Sequence, residues 1–189
     1  ALLLLWTASP FVTSAVAGDG VNWMRDYVRQ REQQMMDRTL GDRNTTEVVQ
    51  QPIVGGHIAK PGRWPFQVAL LTATVKNNAD AQFCGGSLID SRHVLTAAHC
   101  VDFLKRPSQL QILTGTQSLA SGGIRQNVAA YKFHPKCNTK TSDYDVAVVT
   151  LSKPVTGITP VAMITQSQEA QFAAPGTLVY VTGWGNIKA

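Results

Sequence analysis

Long apolar runs, cysteine and charge are all scarce in this sequence of 189 residues. Its one extended apolar stretch lies at the N-terminus and is too short, and too broken by Thr, Ser and Pro, to span a bilayer. Glycine and proline, at 15 and 9 residues, are scattered without a period, which excludes collagen and low-complexity disorder. Since 44% of the residues are hydrophobic, the chain can still form a globular core.

Signatures of bound ligands are equally scarce. The histidines lack the close spacing of a zinc site, and the acidic residues do not follow the pattern of a calcium loop. Glycine-rich loops of the nucleotide-binding kind are missing too. The net charge of +5 comes from basic side chains that are dispersed singly, which indicates an ordinary solvated surface. We therefore expect no metal, no cofactor, and neither nucleic acid nor membrane as a partner.

The first 17 residues are typical of the end of a secretory signal peptide. An apolar stretch, LLLLW at 2–6, precedes the small-x-small sequence AVA at 15–17. The Met and basic start of such a peptide are missing from the sequence, so residues 1–17 are interpreted as a partial signal peptide. We accordingly expect a secreted, extracellular protein, in which disulfides are permitted.

Residues 18–52 differ in character from the β-rich remainder of the chain. Apolar positions recur there at three- and four-residue steps and predict one amphipathic helix over roughly 21–40, with Gly41 where it would stop. Among these positions are Val21, Met24, Val28 and Met35. The segment is interpreted as a propeptide or inhibitory lid, and a poorly ordered spacer is the alternative. Asn44 begins an Asn-Thr-Thr triplet and is a candidate glycosylation site.

From residue 53 onward, short apolar stretches alternate with Gly- and Pro-containing turns. Such a pattern, with few helical periods, predicts an all-β fold, either an antiparallel barrel or a sandwich. The predicted strands are 66–70, 87–89, 93–96, 110–113, 128–133, 146–151 and 178–181.

Four motifs stand in a specific order within this β-rich part. They are IVGG at 53–56 followed by WPFQV at 64–68, CGGSLI at 84–89 running into LTAAHC at 95–100, DYDVAVV at 143–149, and VTGWG at 181–185. In this order and spacing they closely resemble the trypsin/chymotrypsin family of secreted serine endopeptidases. The resemblance covers 53–189 and does not extend to 1–52.

The resemblance implies a fold of two six-stranded antiparallel β-barrels with the active site between them. Residues 53 to about 155 would supply an essentially complete first barrel, and 175–189 only the opening strand of the second. Residues 53–189 are therefore expected to be an incomplete peptidase domain, preceded by the helical pro-segment. A disulfide between Cys84 and Cys100 would anchor the backbone beside His99.

The chemistry of such a site requires a particular set of side chains. A hydroxyl nucleophile is weak at neutral pH and needs an adjacent base such as His, which itself needs a carboxylate to orient it. His99, between small alanines and a cysteine, is the predicted general base. Asp145, which directly precedes an apolar strand, is the predicted orienting carboxylate; the resemblance favours it over Asp143, because the family pattern is Asp followed by an aliphatic residue and Ala, and Asp143 is interpreted as a turn residue. His57, His93 and His134 are interpreted as surface residues.

Two departures from the family pattern bear on activity. The Gly-Asp-Ser-Gly-Gly stretch that carries the nucleophile is missing from these residues, so we expect the serine to lie beyond Ala189 and this chain alone to be inactive. Cleavage before Ile53 would free the activating α-amino group in the family. Gln51 and Pro52 stand where a basic residue is usual, which puts activation by a trypsin-like enzyme in doubt.

Two functions are compatible with these residues. The first is a secreted serine endopeptidase precursor that hydrolyses peptide bonds through an acyl-enzyme. Its expected partners are protein or peptide substrates, an activating protease and protein inhibitors. The alternative is a catalytically inactive homologue that acts as a secreted binding protein. The junction at Gln51 and Pro52 favours this alternative, whereas the presence of His99 and Asp145 weighs against it.

Overall fold

The structure is a computed structural model that describes residues 24, 27, 28, 30, 56–138 and 141–185. Six strands dominate the described part, and only short helical segments accompany them. The strands are β1 Gln67–Thr72, β2 Gln82–Leu88, β3 His93–Thr96, β4 Leu110–Thr114, β5 Ile124–Phe133 and β6 Ala147–Leu151. The short α-helices are α1 Asn78–Ala81 and α2 Glu169–Phe172, and 3-10 turns occupy Ala98–Cys100, Pro107–Gln109 and Gln166–Gln168.

The six strands form one closed barrel in the order β1-β2-β3-β6-β5-β4. Every pairing is antiparallel, and β1 closes the barrel by pairing with β4. Closure leaves no strand of the sheet with an exposed hydrogen-bonding edge. The all-β prediction and the expectation of an essentially complete first barrel are both confirmed.

Strand β1 shows how the barrel is packed on two sides. Because successive side chains of a strand point to opposite faces, Val68 and Leu70 join the main core while Ala69 and Leu71 join a second, smaller cluster. All four are fully buried. Trp184 packs against the second cluster, and its Nε1 donates a hydrogen bond to the carbonyl of Gln117 at 2.8 Å.

One predicted strand is wrong. Residues 178–181 are irregular in the structure, and each side chain of this stretch is more than 60% exposed. A strand is defined by pairing with a neighbour, and no ladder to another described segment includes these residues. Their apolar, β-branched and aromatic composition satisfies strand propensity, but propensity without a partner does not form a sheet.

Four residues are described from the predicted helix in the pro-segment. Met24, Tyr27, Val28 and Gln30 are helical, and we refer to them as the N-terminal helix. Met24 and Val28 lie one turn apart on the same face and are 2% and 1% exposed, whereas Tyr27 and Gln30 are exposed. The rest of 18–52 lies outside the described residues. In the described part, no helix is long and apolar enough to cross a membrane.

Candidate active site

The pairing of β3 with β6 creates the site. In this antiparallel ladder, Thr96 at the end of β3 lies opposite Ala147 at the start of β6. His99 follows Thr96 by one turn of backbone, in the 3-10 turn Ala98–Cys100, and Asp145 immediately precedes β6. Two residues that are 46 positions apart in the chain therefore reach the same end of the barrel.

Asp145 makes two hydrogen bonds to His99. Its Oδ2 lies 2.6 Å from Nδ1 of the imidazole, and its Oδ1 accepts the backbone N–H of His99 at 2.8 Å. The two side chains are only 7% and 6% exposed. Because both carboxylate oxygens are engaged by the same residue, neither the ring nor the carboxylate can rotate without losing a buried hydrogen bond.

The pKa of Asp145 lies below its ordinary value. Burial acts to raise this pKa, because it penalises the charged form. The hydrogen bond and charge interaction with His99, together with hydrogen bonds from the backbone of His99 and Ala98, outweigh burial and lower the pKa. Asp145 is consequently a carboxylate at neutral pH, and this determines whether the His99 ring nitrogen facing it donates or accepts the hydrogen bond.

A carboxylate can only accept a hydrogen bond, so Nδ1 of His99 must be the donor. In the neutral imidazole this tautomer leaves Nε2 as the nitrogen that carries a lone pair. If Nε2 takes up a proton, the resulting imidazolium is stabilised by the adjacent carboxylate. The pair is therefore chemically suited to accept a proton from a hydroxyl and to return it later.

A disulfide anchors the turn that carries His99. Cys84 on β2 is bonded to Cys100, the residue that follows His99, across a separation of 16 positions. One atom each of Cys84, His99 and Cys100 lies within 4.8 Å of the others, a spacing that could suggest a metal site. Since the two sulfurs are bonded to each other, they are not the thiolates that a metal would require. The disulfide is instead structural.

The glycines of β2 allow β3 to approach closely beneath the site. A Cβ on Gly86 would lie 2.8 Å from Cγ1 of Val94 and 2.9 Å from the carbonyl of Leu95, so a side chain does not fit. The hydroxyl of Thr96 also donates to the carbonyl of Gly85 at 2.8 Å. The Cys-Gly-Gly sequence thus fixes the position of β3 relative to β2, and with it the position of the turn that carries His99.

The other predicted candidates have different surroundings. Asp143 accepts a hydrogen bond from the hydroxyl of Thr141 at 2.7 Å and forms a β-bridge with Asn138. His93 faces Asp90 at 2.7 Å on the exposed surface, and the ring of His134 stacks on Tyr144. The structure brings only His99 and Asp145 together among these predicted residues. Ile53 and Asn44 lie outside the described residues.

Sequence reasoning missed the turn that delivers Asp145. Ser142 and Tyr144 have φ angles of 57° and 54°, the left-handed region that non-glycine residues seldom adopt. Ser142 is buried, whereas Tyr144 is exposed and stacks on His134 with ring centroids 4.6 Å apart. Neither residue is a type that signals positive φ, so the sequence contained no sign of this conformation.

Sequence reasoning also missed an aromatic pair near the disulfide in the chain. Phe83 directly precedes Cys84, and Phe103 follows the turn that carries His99. Their ring centroids are 6.2 Å apart in an edge-to-face arrangement. We refer to Phe83 and Phe103 as the aromatic surface. The pair could not be predicted, because the two phenylalanines are 20 positions apart and nothing in the sequence around either indicates that their rings meet.

A closed antiparallel barrel with a buried His–Asp pair at one end is the arrangement expected of the trypsin/chymotrypsin class, which the sequence motifs resemble. Comparison with known proteins agrees, since the family described as "Trypsin" matches residues 53–189. The chain belongs to the trypsin family. The match begins at Ile53 and leaves out residues 1–52.

Individual relatives support the same family. The chain is 34% identical over 136 residues to "Trypsin" of Simulium vittatum, which covers 72% of this chain and 54% of that protein. It is 37% identical over 136 residues to "Trypsin 5G1" of Aedes aegypti, covering 72% and 48%. A human protein, "Atrial natriuretic peptide-converting enzyme", is 29% identical over 138 residues, 71% of this chain and 13% of that protein. The chain thus spans about half the length of the two trypsins.

Proposed function

We propose that this chain is the histidine-bearing part of a secreted serine endopeptidase, which hydrolyses peptide bonds through an acyl-enzyme. The observation that carries the proposal is the buried contact of 2.6 Å between Nδ1 of His99 and Oδ2 of Asp145. Membership of the trypsin family supports the same chemistry. A histidine held in one tautomer by a carboxylate is the base that a serine nucleophile needs.

In the first half of the reaction, the serine oxygen attacks the scissile carbonyl while Nε2 of His99 takes the hydroxyl proton. The tetrahedral intermediate then collapses, the C–N bond breaks, and His99 returns the proton to the leaving amine. In the second half, water attacks the acyl carbonyl while His99 takes its proton, the ester C–O bond to serine breaks to release the acid, and His99 returns the proton to the serine oxygen. Asp145 keeps the imidazole oriented and stabilises its charged form in both halves, without itself taking up the proton.

The nucleophile is proposed to lie C-terminal to Ala189 in the full-length protein. The serines within 56–185 belong to barrel strands, turns and loops, and the sequence around them lacks the Gly-Asp-Ser-Gly-Gly stretch. The 189 residues alone are accordingly proposed to be inactive. Substrates would be proteins or peptides, and an activating protease and protein inhibitors would be further partners.

Processing of the N-terminal part is proposed to control this activity. Residues 1–17 would act as a signal peptide and 18–52 as a propeptide, with a glycan on Asn44. Cleavage before Ile53 would free an α-amino group, which must find a buried carboxylate if it turns inward. Because Gln51 and Pro52 precede this bond, we propose an activator whose specificity is not for Lys or Arg.

A serine-directed fluorophosphonate probe tests the proposed function on the full-length secreted protein after activation. The wild-type protein should be labelled, and the His99→Ala variant should lose labelling because its serine has no base. The matched control is His93→Ala, since His93 also pairs with an aspartate but lies on the exposed surface. This control should be labelled like the wild type. A wild-type protein without any labelling would instead be the inactive, binding homologue.

A further inference from the structure

The aromatic surface adjoins the disulfide and the turn that hold His99, since Phe83 precedes Cys84 and Phe103 follows Ala98–Cys100, and it has no part in the proposed proton transfer. Phe83 is joined to the site through Cys84 and its disulfide to Cys100, and its side chain belongs to the buried core at 7% exposure. Phe103 is half-buried and packs against the same core. An extended peptide bound across His99 must run over one of the surfaces that flank the imidazole. Since Phe83 adjoins Cys84 and Phe103 follows the turn of His99, we take the aromatic surface to be one of them, and its chemistry suits an apolar side chain.

In this structure the surface is already occupied by the chain itself. The ring of Tyr27 lies 4.8 Å from the ring of Phe103, measured between centroids, at an interplanar angle of 57°. Met24 and Val28 belong to the same cluster of buried residues as Phe83 and Cys100. The N-terminal helix therefore packs Met24 and Val28 into the barrel core and the ring of Tyr27 against Phe103, four residues after His99, and it leaves Gln30 exposed.

We propose that the N-terminal helix is an autoinhibitory segment, which binds the aromatic surface and competes there with the peptide substrate. This inference rests on the proposed function, because competition requires a substrate-binding site at His99. The imidazole is only 7% exposed while the helix is docked. The occupant is this chain's own amphipathic helix, with Met24 and Val28 buried in the cluster that contains Phe83 and with the ring of Tyr27 against Phe103.

The size of the contact explains how such an inhibitor could be switched off. Among the described residues the contact consists of two buried side chains and one ring pair, and a short helix on its own is marginal in water. As a separate peptide the segment should bind weakly, because association and ordering then oppose binding in full. Attached by the chain between Gln30 and Gly56, it has an effective concentration on the order of millimolar. Cleavage within that stretch removes this advantage, so the segment dissociates on dilution.

A synthetic peptide of residues 18–40, added to the activated full-length enzyme that has lost its pro-segment, tests the competition. We expect the peptide to raise KM for a peptide substrate and to leave kcat unchanged. A peptide with Met24→Ala and Val28→Ala should inhibit about tenfold less or worse, because both buried side chains are truncated. The Gln30→Ala peptide is the matched control and should inhibit like the wild type. Equal inhibition by all three peptides, a lower kcat, or no inhibition at millimolar peptide would overturn the proposal.

A second measurement separates failure of this inference from failure of the proposed function. Hydrogen exchange of the uncut full-length precursor reports docking without any need for turnover. We expect the backbone around Phe103 to exchange faster in the precursor carrying Met24→Ala and Val28→Ala than in the wild type or in Gln30→Ala. If the activated enzyme is inactive but this difference is present, docking holds and the proposed function fails. Identical exchange in the three precursors overturns docking itself.

Discussion

Thr96 on β3 lies opposite Ala147 on β6, and this pairing fixes the distance between His99 and Asp145. Both residues stand just outside the ladder, one after β3 and the other before β6. A shift of the register by one residue would turn every side chain of the strand to the other face. The barrel thus sets the geometry of the His99–Asp145 pair. A substitution of the Asp145 carboxylate should therefore leave the fold intact.

On the proposed function, replacement of Asp145 by Asn should abolish most of the peptidase activity of the full-length protein. The amide NH₂ can donate to Nδ1 of His99, which favours the wrong tautomer and places the proton on Nε2. Loss of the equivalent carboxylate in the family costs roughly 10⁴-fold in kcat, and we expect a loss of similar size. The measurement is the steady-state hydrolysis of a peptide amide at neutral pH.

The matched control for this variant is Asp90→Asn. Asp90 also accepts from a histidine, His93, at the same kind of distance, but its side chain is 54% exposed and lies on the barrel surface. We expect kcat of this variant to be within about twofold of the wild type, since surface substitutions seldom affect the rest of the structure. A comparable loss in both variants would show that the effect is not specific to the buried pair.

The lowered pKa of Asp145 predicts a pH dependence of stability. The folded state binds the proton on this carboxyl less readily than the unfolded state, so Asp145 contributes fully above its unfolded pKa, about 3.9. That contribution is lost as the pH falls through the lower folded value. Urea unfolding of the uncut precursor should therefore show the stability gap between wild type and Asp145→Asn shrinking below about pH 4.

Asp90→Asn is also the control variant for the measurement of stability against pH. Its pKa is lowered as well, chiefly by a hydrogen bond from the backbone of Arg92, but the group is exposed and screened by water. The gap between wild type and Asp90→Asn should therefore be small, and it should decrease over the same range by much less than the gap for Asp145→Asn. If the gap for Asp145→Asn does not change between about pH 5 and pH 3, the carboxyl is not held in its charged form by the fold.

The sequence was sufficient to predict those parts of the fold in which local pattern and pairing agree. In β6, the apolar residues of 146–151 predicted a strand, and Ala147–Leu151 is one. At 178–181 the same kind of pattern predicted a strand that did not form, because pairing depends on another segment. Alternation and propensity are local, whereas a ladder is not.

The candidate site likewise has parts that could be predicted from local sequence and parts that could not. His99 and Asp145 could be proposed from their motifs, because each stands at the end of a recognisable strand. The left-handed turn at Ser142 and Tyr144 could not, since neither residue type indicates positive φ. The contact of Tyr27 with Phe103 was also inaccessible, because helical periodicity shows which face is apolar but not what that face covers.

Removal of the disulfide should lower stability more than any single surface change. The bond between Cys84 and Cys100 joins residues 16 positions apart, and both residues are buried. We expect the paired replacement Cys84→Ser and Cys100→Ser to reduce the free energy of unfolding by about 2–4 kcal/mol. Urea unfolding of the uncut precursor measures this difference. When a reductant is present during unfolding, the free energy of unfolding of the wild type should approach that of the variant. A difference in stability that persists under these conditions would mean that the disulfide is not its cause.

Replacement of Gly86 by alanine should destabilise the fold more than the same replacement of its neighbour Gly85. A Cβ at Gly86 meets Val94 and the backbone of Leu95 at 2.8 and 2.9 Å, so strand β3 would have to shift. At Gly85 the nearest atom is the end of the flexible Gln67 side chain, at 3.1 Å. We expect Gly86→Ala to cost about 1–3 kcal/mol of stability and Gly85→Ala clearly less. Because β3 leads directly into the turn that carries His99, the Gly86→Ala variant should also lose kcat while Gly85→Ala keeps it. Equal effects of the two substitutions on unfolding and on turnover would contradict the close approach of β2 to β3.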